Sequence, residues 1–250
     1  MSGLFLAVSW LTVCPVPARW TAGTPRPAVA AAAIRWAPVI GALLGAAAGA
    51  VLLGLAALGL PAPVAGLLTV AFLALGTRGM HLDGLADTAD GLGCFGPPER
   101  ALAVMRDGAA GPFAVVTLVL VVGIQAAALA ELVVTGPAAV PAVALAAATG
   151  RAGFGWVCRR GVPAARPDGL GASVAGSQPW WVSVLWWAVL LAAGVGLAGP
   201  GGGWAVGLGA LVTVALARHA AHRFGGMTGD VLGAVGELAT TAALVGFLVG

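Results

Sequence analysis

The chain contains no lysine and no tyrosine, and only 8% of its 250 residues are charged. A soluble domain carries about 25% charged residues. So little charge excludes an ordinary water-facing surface. Cysteine is also scarce: Cys14, Cys94 and Cys158 are odd in number and show no CxxC spacing. That argues against both a disulfide framework and a zinc site. The net charge of +3 comes entirely from twelve arginines spread along the chain, so no nucleic-acid partner is indicated. Met1–Val13 is too weakly basic ahead of its apolar run to read as a cleavable signal peptide.

What is present is hydrophobic length. Sixty per cent of the residues are hydrophobic, and several runs approach or exceed the roughly 20 residues that cross a bilayer as helix. The pattern predicts an all-α, polytopic integral membrane bundle with about seven spans: Pro38–Leu60, Ala62–Gly76, Pro112–Val134, Pro137–Cys158, Trp180–Ala198, Gly203–Ala217 and Val231–Gly250. Gly3–Cys14 is too short to span and is expected to lie in the interface or re-enter. Threading seven spans puts all twelve arginines on one side, which the positive-inside rule makes cytoplasmic. The expected location is therefore the cell (inner) membrane, with the C-terminus outside. Residues 1–250 read as one membrane domain whose polar loops, about 77–111, 151–179 and 218–230, share the cytoplasmic side. Gly41, Gly45 and Gly49 form a small-xxx-small stripe that suggests close helix packing. A monomer and a homo-oligomer both remain open.

The chemistry gathers where charge is concentrated. Asp83, Asp87 and Asp90 stand at i, i+4, i+7 in the run Arg78-Gly-Met-His81-Leu-Asp83-Gly-Leu-Ala-Asp87-Thr-Ala-Asp90-Gly91. At roughly 100° per residue they fall within about 60° on one helix face. Three like charges there repel unless a cation lies between them, although a solvated helix start would also favour Asp. A second cluster is Arg106-Asp107 ahead of Gly111. A third runs from Gly225 through Thr228 and Asp230 to Glu237, with Asp230 and Glu237 at i, i+7. Asp230 could serve as an N-cap. Glu237, two turns into an apolar span, is a functional candidate by depth, or a partner for an interior arginine such as Arg151.

Hard divalent cations take oxygen ligands, and Mg²⁺ usually combines one or two carboxylates with substrate phosphates. Arginine forks neutralise phosphate oxygens. Carboxylates and arginines at one membrane face thus point to metal-dependent transfer of a phosphate-containing group. The candidate catalytic residues are Asp83, Asp87, Asp90, Asp230 and Glu237, and the first three are the candidate Mg²⁺ ligands. Arg78, His81, Arg106, Asp107, Arg151, Arg166, Arg223 and Thr228 are candidate substrate contacts, with Asp168 and Glu99 read as loop charges. Gly91-Leu-Gly93-Cys-Phe-Gly96 matches GxGxxG but lacks the βαβ context that a dinucleotide site requires. A cation-coupled transporter would place its carboxylates near the midplane in related halves, and no internal repeat is detected.

These segments resemble the cobalamin synthase family, the adenosylcobinamide-GDP ribazoletransferases. The stretch Phe5–Pro17 is similar to the family opening FLTxxPVP, and His81–Gly91 to the signature HLDGLADTxDG. Met105-Arg106-Asp107 with Gly111 resembles MKDSxxG, and Gly226–Ala234 resembles GGxTGDxLGA. Arg106 replaces the usual Lys, Ala109 stands where a basic or polar residue is common, and the opening lacks its usual Arg. The resemblance implies an Mg²⁺-dependent membrane enzyme joining adenosylcobinamide-GDP to α-ribazole or its 5′-phosphate, with release of GMP. In that setting Asp83 and Asp87 would hold Mg²⁺ on the donor pyrophosphate. Asp90 would complete the metal site or act as base. Asp107 and Asp230 would support a second metal or the first one's ligands, and Glu237 would be a deeper ligand or base. The acidic motif is also similar to that of the CDP-alcohol phosphotransferases, but Asp87 stands where their Arg would be.

Overall fold

Prolines set four of the helix starts. In the computed structural model, which describes residues 2–21 and 26–249, proline occupies the first turn of α3 (Pro27–Ala57), α4 (Ala62–Gly76), α6 (Pro98–Val104) and α7 (Pro112–Leu132). There its missing N–H is one the helix could not use. The other helices are α1 (Gly3–Leu11), α2 (Ala18–Thr21), α5 (Met80–Gly93), α8 (Ala139–Val157), α9 (Gly169–Val174), α10 (Trp180–Phe224) and α11 (Gly229–Gly246). A 3-10 turn, Val133–Ala138, joins α7 to α8. Among the described residues there is no strand, only the isolated bridges Arg159–Gln178 and Ala164–Met227.

The all-α membrane architecture holds, but seven separate spans are not delimited. Three helical stretches are long and apolar enough to cross a membrane: 27–57, 112–157 and 180–224. Two are broken internally, at Gly136 and at Ala198–Gly199, where the backbone leaves helical angles. The pair α4–α5 passes the same test but bends by 94° between its halves. Several helix ends agree with the hydropathy boundaries, while α3 starts eleven residues before Pro38. That proline lies inside the helix. It costs a backbone hydrogen bond, offset here because Ile34, Ala37 and Ile40 around it are buried.

α8 is the central post, packed against α3, α10 and α11. Small residues permit this. A Cβ at Gly41 would lie 2.6 Å from the Ala147 carbonyl oxygen, and one at Gly49 would lie 2.7 Å from Val140 Cα. The glycine stripe therefore seats α3 on α8. α1 does not span; Leu6, Ala7 and Leu11 bury it against α3. Across the molecule, α5 lies on α11. This last contact builds the site.

Candidate active site

The acidic helix leaves the line of α4 through a turn at Arg78 (φ 58°) and Gly79 (φ 67°), both left-handed. Arg78 tolerates this uncommon backbone while its Nη2 donates to the Ser9 carbonyl at 2.8 Å. It thus ties α1 to the start of α5. α5 then meets the start of α11 at backbone distance. A Cβ at Gly84 would stand 2.7 Å from the Asp230 carbonyl oxygen, and one at Gly233 would stand 2.9 Å from that of His81. The two glycines let two acidic helix segments approach more closely than any side chain would allow.

Beside this contact is a cavity of about 290 Å³, lined by α1, α3, α5, α8, α9 and α11 together with the segment before α9. His81, Asp83, Arg166, Asp168, Thr228 and Asp230 line it, with Trp10, Leu11, Ile34, Met80, Phe154, Leu170, Met227 and Leu232 forming apolar walls. Asp83 is exposed. Burial, reinforced by the charges of Asp230 and Asp83, pushes the Asp87 carboxyl up to about 6 despite Arg166. Asp230 stands above the ordinary carboxylate range mainly through burial, opposed by Arg166. Arg166 Nη1 lies 3.2 Å from Asp230 Oδ2, and its Nη2 donates to the Leu102 carbonyl. Thr228 caps α11 by accepting from the Val231 N–H at 3.2 Å. Asp230 is therefore not the N-cap.

The other predicted residues are placed elsewhere. Asp90 is buried, and its two oxygens accept from the backbone N–H groups of Gly111 (2.6 Å) and Ala114 (2.9 Å). It satisfies donors at the start of α7, which otherwise lack partners. Three aspartates around one ion is therefore not the arrangement found: among the described residues, no three His, Cys, Asp or Glu side chains group so as to hold a metal. Asp107 is exposed beside the Asp90 cap. Arg106 reaches Asp168 at 3.3 Å, and Arg223 donates to the Cys94 carbonyl at 2.6 Å.

Glu237 lies in the interior, 3.9 Å from Arg151 and accepting from Gln125 Nε2 at 2.9 Å. Arg151 also donates to Thr240 and places Nη2 3.2 Å from His81 Nδ1. Because arginine only donates, Nδ1 must accept, and the His81 proton is assigned to Nε2. His81, which lies off the aspartate face of the sequence pattern, thus connects the buried charge pair to the cavity.

The apolar walls from α1, α3 and α8 were not expected at the site, nor was Asp168 at its rim. Only the N-terminal Phe5–Pro17 stretch carried a sequence signal for any of them.

An Mg²⁺ ion held here would be shared with substrate rather than caged by protein. Asp83, Asp87 and Asp230 repel one another across the α5–α11 contact, and one arginine offsets them only in part. Two such carboxylates plus substrate phosphates match its usual donor set.

A family model described as Cobalamin-5-phosphate synthase matches residues 3–248. An adenosylcobinamide-GDP ribazoletransferase from a Nocardioides species is 42% identical over 96% of this chain and 95% of its own length. Proteins of the same description from Brucella anthropi and Brucella canis are 34% and 36% identical, each over 97% of this chain and 94% of its own. No solved structure matches. A match over nearly the whole length places this chain in the cobalamin-5-phosphate synthase family.

Proposed function

We propose that the chain transfers the adenosylcobinamide-phosphate group of adenosylcobinamide-GDP to α-ribazole or its 5′-phosphate, giving adenosylcobalamin or its phosphate and GMP. The observation that carries this is the meeting of Asp83, Asp87 and Asp230 with Arg166 beside a cavity of small-molecule size. In the reaction an acceptor hydroxyl oxygen attacks the corrinoid-side phosphorus. A P–O bond forms there, the bond to the GMP phosphate breaks, and GMP leaves with the electron pair. Asp230, above the usual carboxylate range and lining the cavity, takes the hydroxyl proton. Arg166, held by Asp230 through one amino group and by the Leu102 carbonyl through the other, presents its charge to phosphate oxygens as charge moves to the leaving group. Asp83 and Asp87 would hold Mg²⁺, which when bound neutralises pyrophosphate oxygens.

The arginine-bearing loops support a site on the cytoplasmic face of the cell membrane by the positive-inside rule. The test is reconstitution in liposomes with adenosylcobinamide-GDP, α-ribazole and Mg²⁺. Cobalamin and GMP in equal amounts are expected. Folded protein that forms neither overturns the proposal.

A further inference from the structure

The lining of the cavity beside the carboxylates divides into exposed and buried residues. Asp83 and Asp168 are exposed at its mouth. Leu11, Ile34, Phe154, Met227 and Leu232, which also line it, are each less than a tenth exposed. Two polar side chains are equally buried there, His81 and Thr228. The Thr228 hydroxyl is already engaged with the Val231 N–H and with Asp230. His81 has given Nδ1 to Arg151. What the ring can still offer the cavity is one donor, Nε2–H.

We infer that this buried apolar lining is the subsite for the acceptor's aromatic base, with His81 Nε2–H donating to its one free ring nitrogen. The inference rests on the ribazole transfer proposed above and assigns one part of that substrate a place. A dimethylbenzimidazole fits the chemistry: it is flat and apolar, carries two methyl groups, has no N–H, and keeps a single acceptor nitrogen once the other bears the sugar. Guanine would bring several donors and acceptors into walls that satisfy one of them, and each buried group left unpaired costs binding. About 290 Å³ is at the small end of ligand pockets, about 300–1,000 Å³, which suits a single heterocyclic base better than a corrin ring. With the base inside, the ribose projects to the mouth, where its hydroxyls face Asp83, Asp230 and Arg166.

The experiment compares two acceptors, the dimethylbenzimidazole riboside and its dimethylindole counterpart, in which C–H replaces the acceptor nitrogen. Binding to wild-type protein in lipid nanodiscs is measured calorimetrically without donor, and transfer is measured separately. The indole riboside should bind wild type roughly five- to tenfold more weakly, the worth of one neutral hydrogen bond, and His81→Phe should abolish that difference. Ile34→Trp, which fills the space beside the buried lining, should raise the acceptor KM at least tenfold and leave the donor KM unchanged. Equal binding of the two ribosides to wild type overturns the subsite even if transfer proceeds. So does an Ile34→Trp protein impaired toward donor instead. Discrimination in binding without product would retain the subsite and sink the transfer reaction.

Discussion

Arg166 and Asp230 face each other at 3.2 Å across the cavity, one from the segment ahead of α9 and the other from the first turn of α11. Both are partly buried, so their attraction is screened less than that of an exposed pair. Arg166→Gln should reduce kcat/KM by about 100-fold, the scale of a lost preorganised donor. Arg166→Lys should recover only part, because an ammonium cannot bond Asp230 and the Leu102 carbonyl in the same fork. Steady-state kinetics in liposomes decides this; near-wild-type activity in Arg166→Gln would remove it from the site.

Asp90 fastens the start of α7 through the Gly111 and Ala114 N–H groups. Asp90→Ala leaves the Gly111 and Ala114 N–H groups without their acceptor and should cost about 1–3 kcal/mol, with Asp90→Asn losing less. Thermal unfolding in detergent reads this directly. Loss of Mg²⁺ dependence without loss of stability would return Asp90 to the metal site.

The pH response follows from Asp87. Its carboxyl is raised from 3.8 to about 6 by burial and by Asp230 and Asp83. Ionising it therefore costs the folded state stability. That cost is absent below the ordinary value and fully present above about 6. Without divalent cation, this group makes the protein gain stability as pH falls from about 6 towards 4. Added Mg²⁺ should stabilise it above about 6 and progressively less below. Melting curves at about pH 5 and 7.5, with and without Mg²⁺, test both signs, and Asp87→Asn should flatten the dependence.

Glu237 neutralises Arg151 in the interior. Glu237→Gln leaves a buried cation without its counter-charge and should cost about 3–5 kcal/mol. Combining it with Arg151→Met should recover most of the stability, though not activity, because His81 then loses the donor that fixes its tautomer. Equal stability of Glu237→Gln and wild type would show that the pair carries no such load.

Local patterns in this chain were legible, and long-range pairings were not. α4 occupies Ala62–Gly76 as hydropathy indicated, because its ends are set by Pro61–Pro63 and by the Thr77–Gly79 turn. The glycines at 41, 45 and 49 announced a close helix contact, though not that α8 supplies it. The i, i+4, i+7 spacing put three aspartates on one face. It could not show that Asp90 is claimed by the N–H groups of α7, more than twenty residues on. Nor could periodicity reveal that Phe154 and Ile34 close the cavity, since buried apolar residues on α8 and α3 read alike whether they meet a helix or a ligand.

Asp83 is an exposed carboxylate at the cavity mouth, and its replacement tests the account most directly. In liposomes supplied with adenosylcobinamide-GDP, α-ribazole and increasing Mg²⁺, Asp83→Asn should keep the wild-type melting temperature. It should lose cobalamin and GMP formation by at least about 100-fold, the scale of a lost electrostatic contact in the transition state. Product formation at the wild-type rate, with unchanged dependence on Mg²⁺, would contradict it.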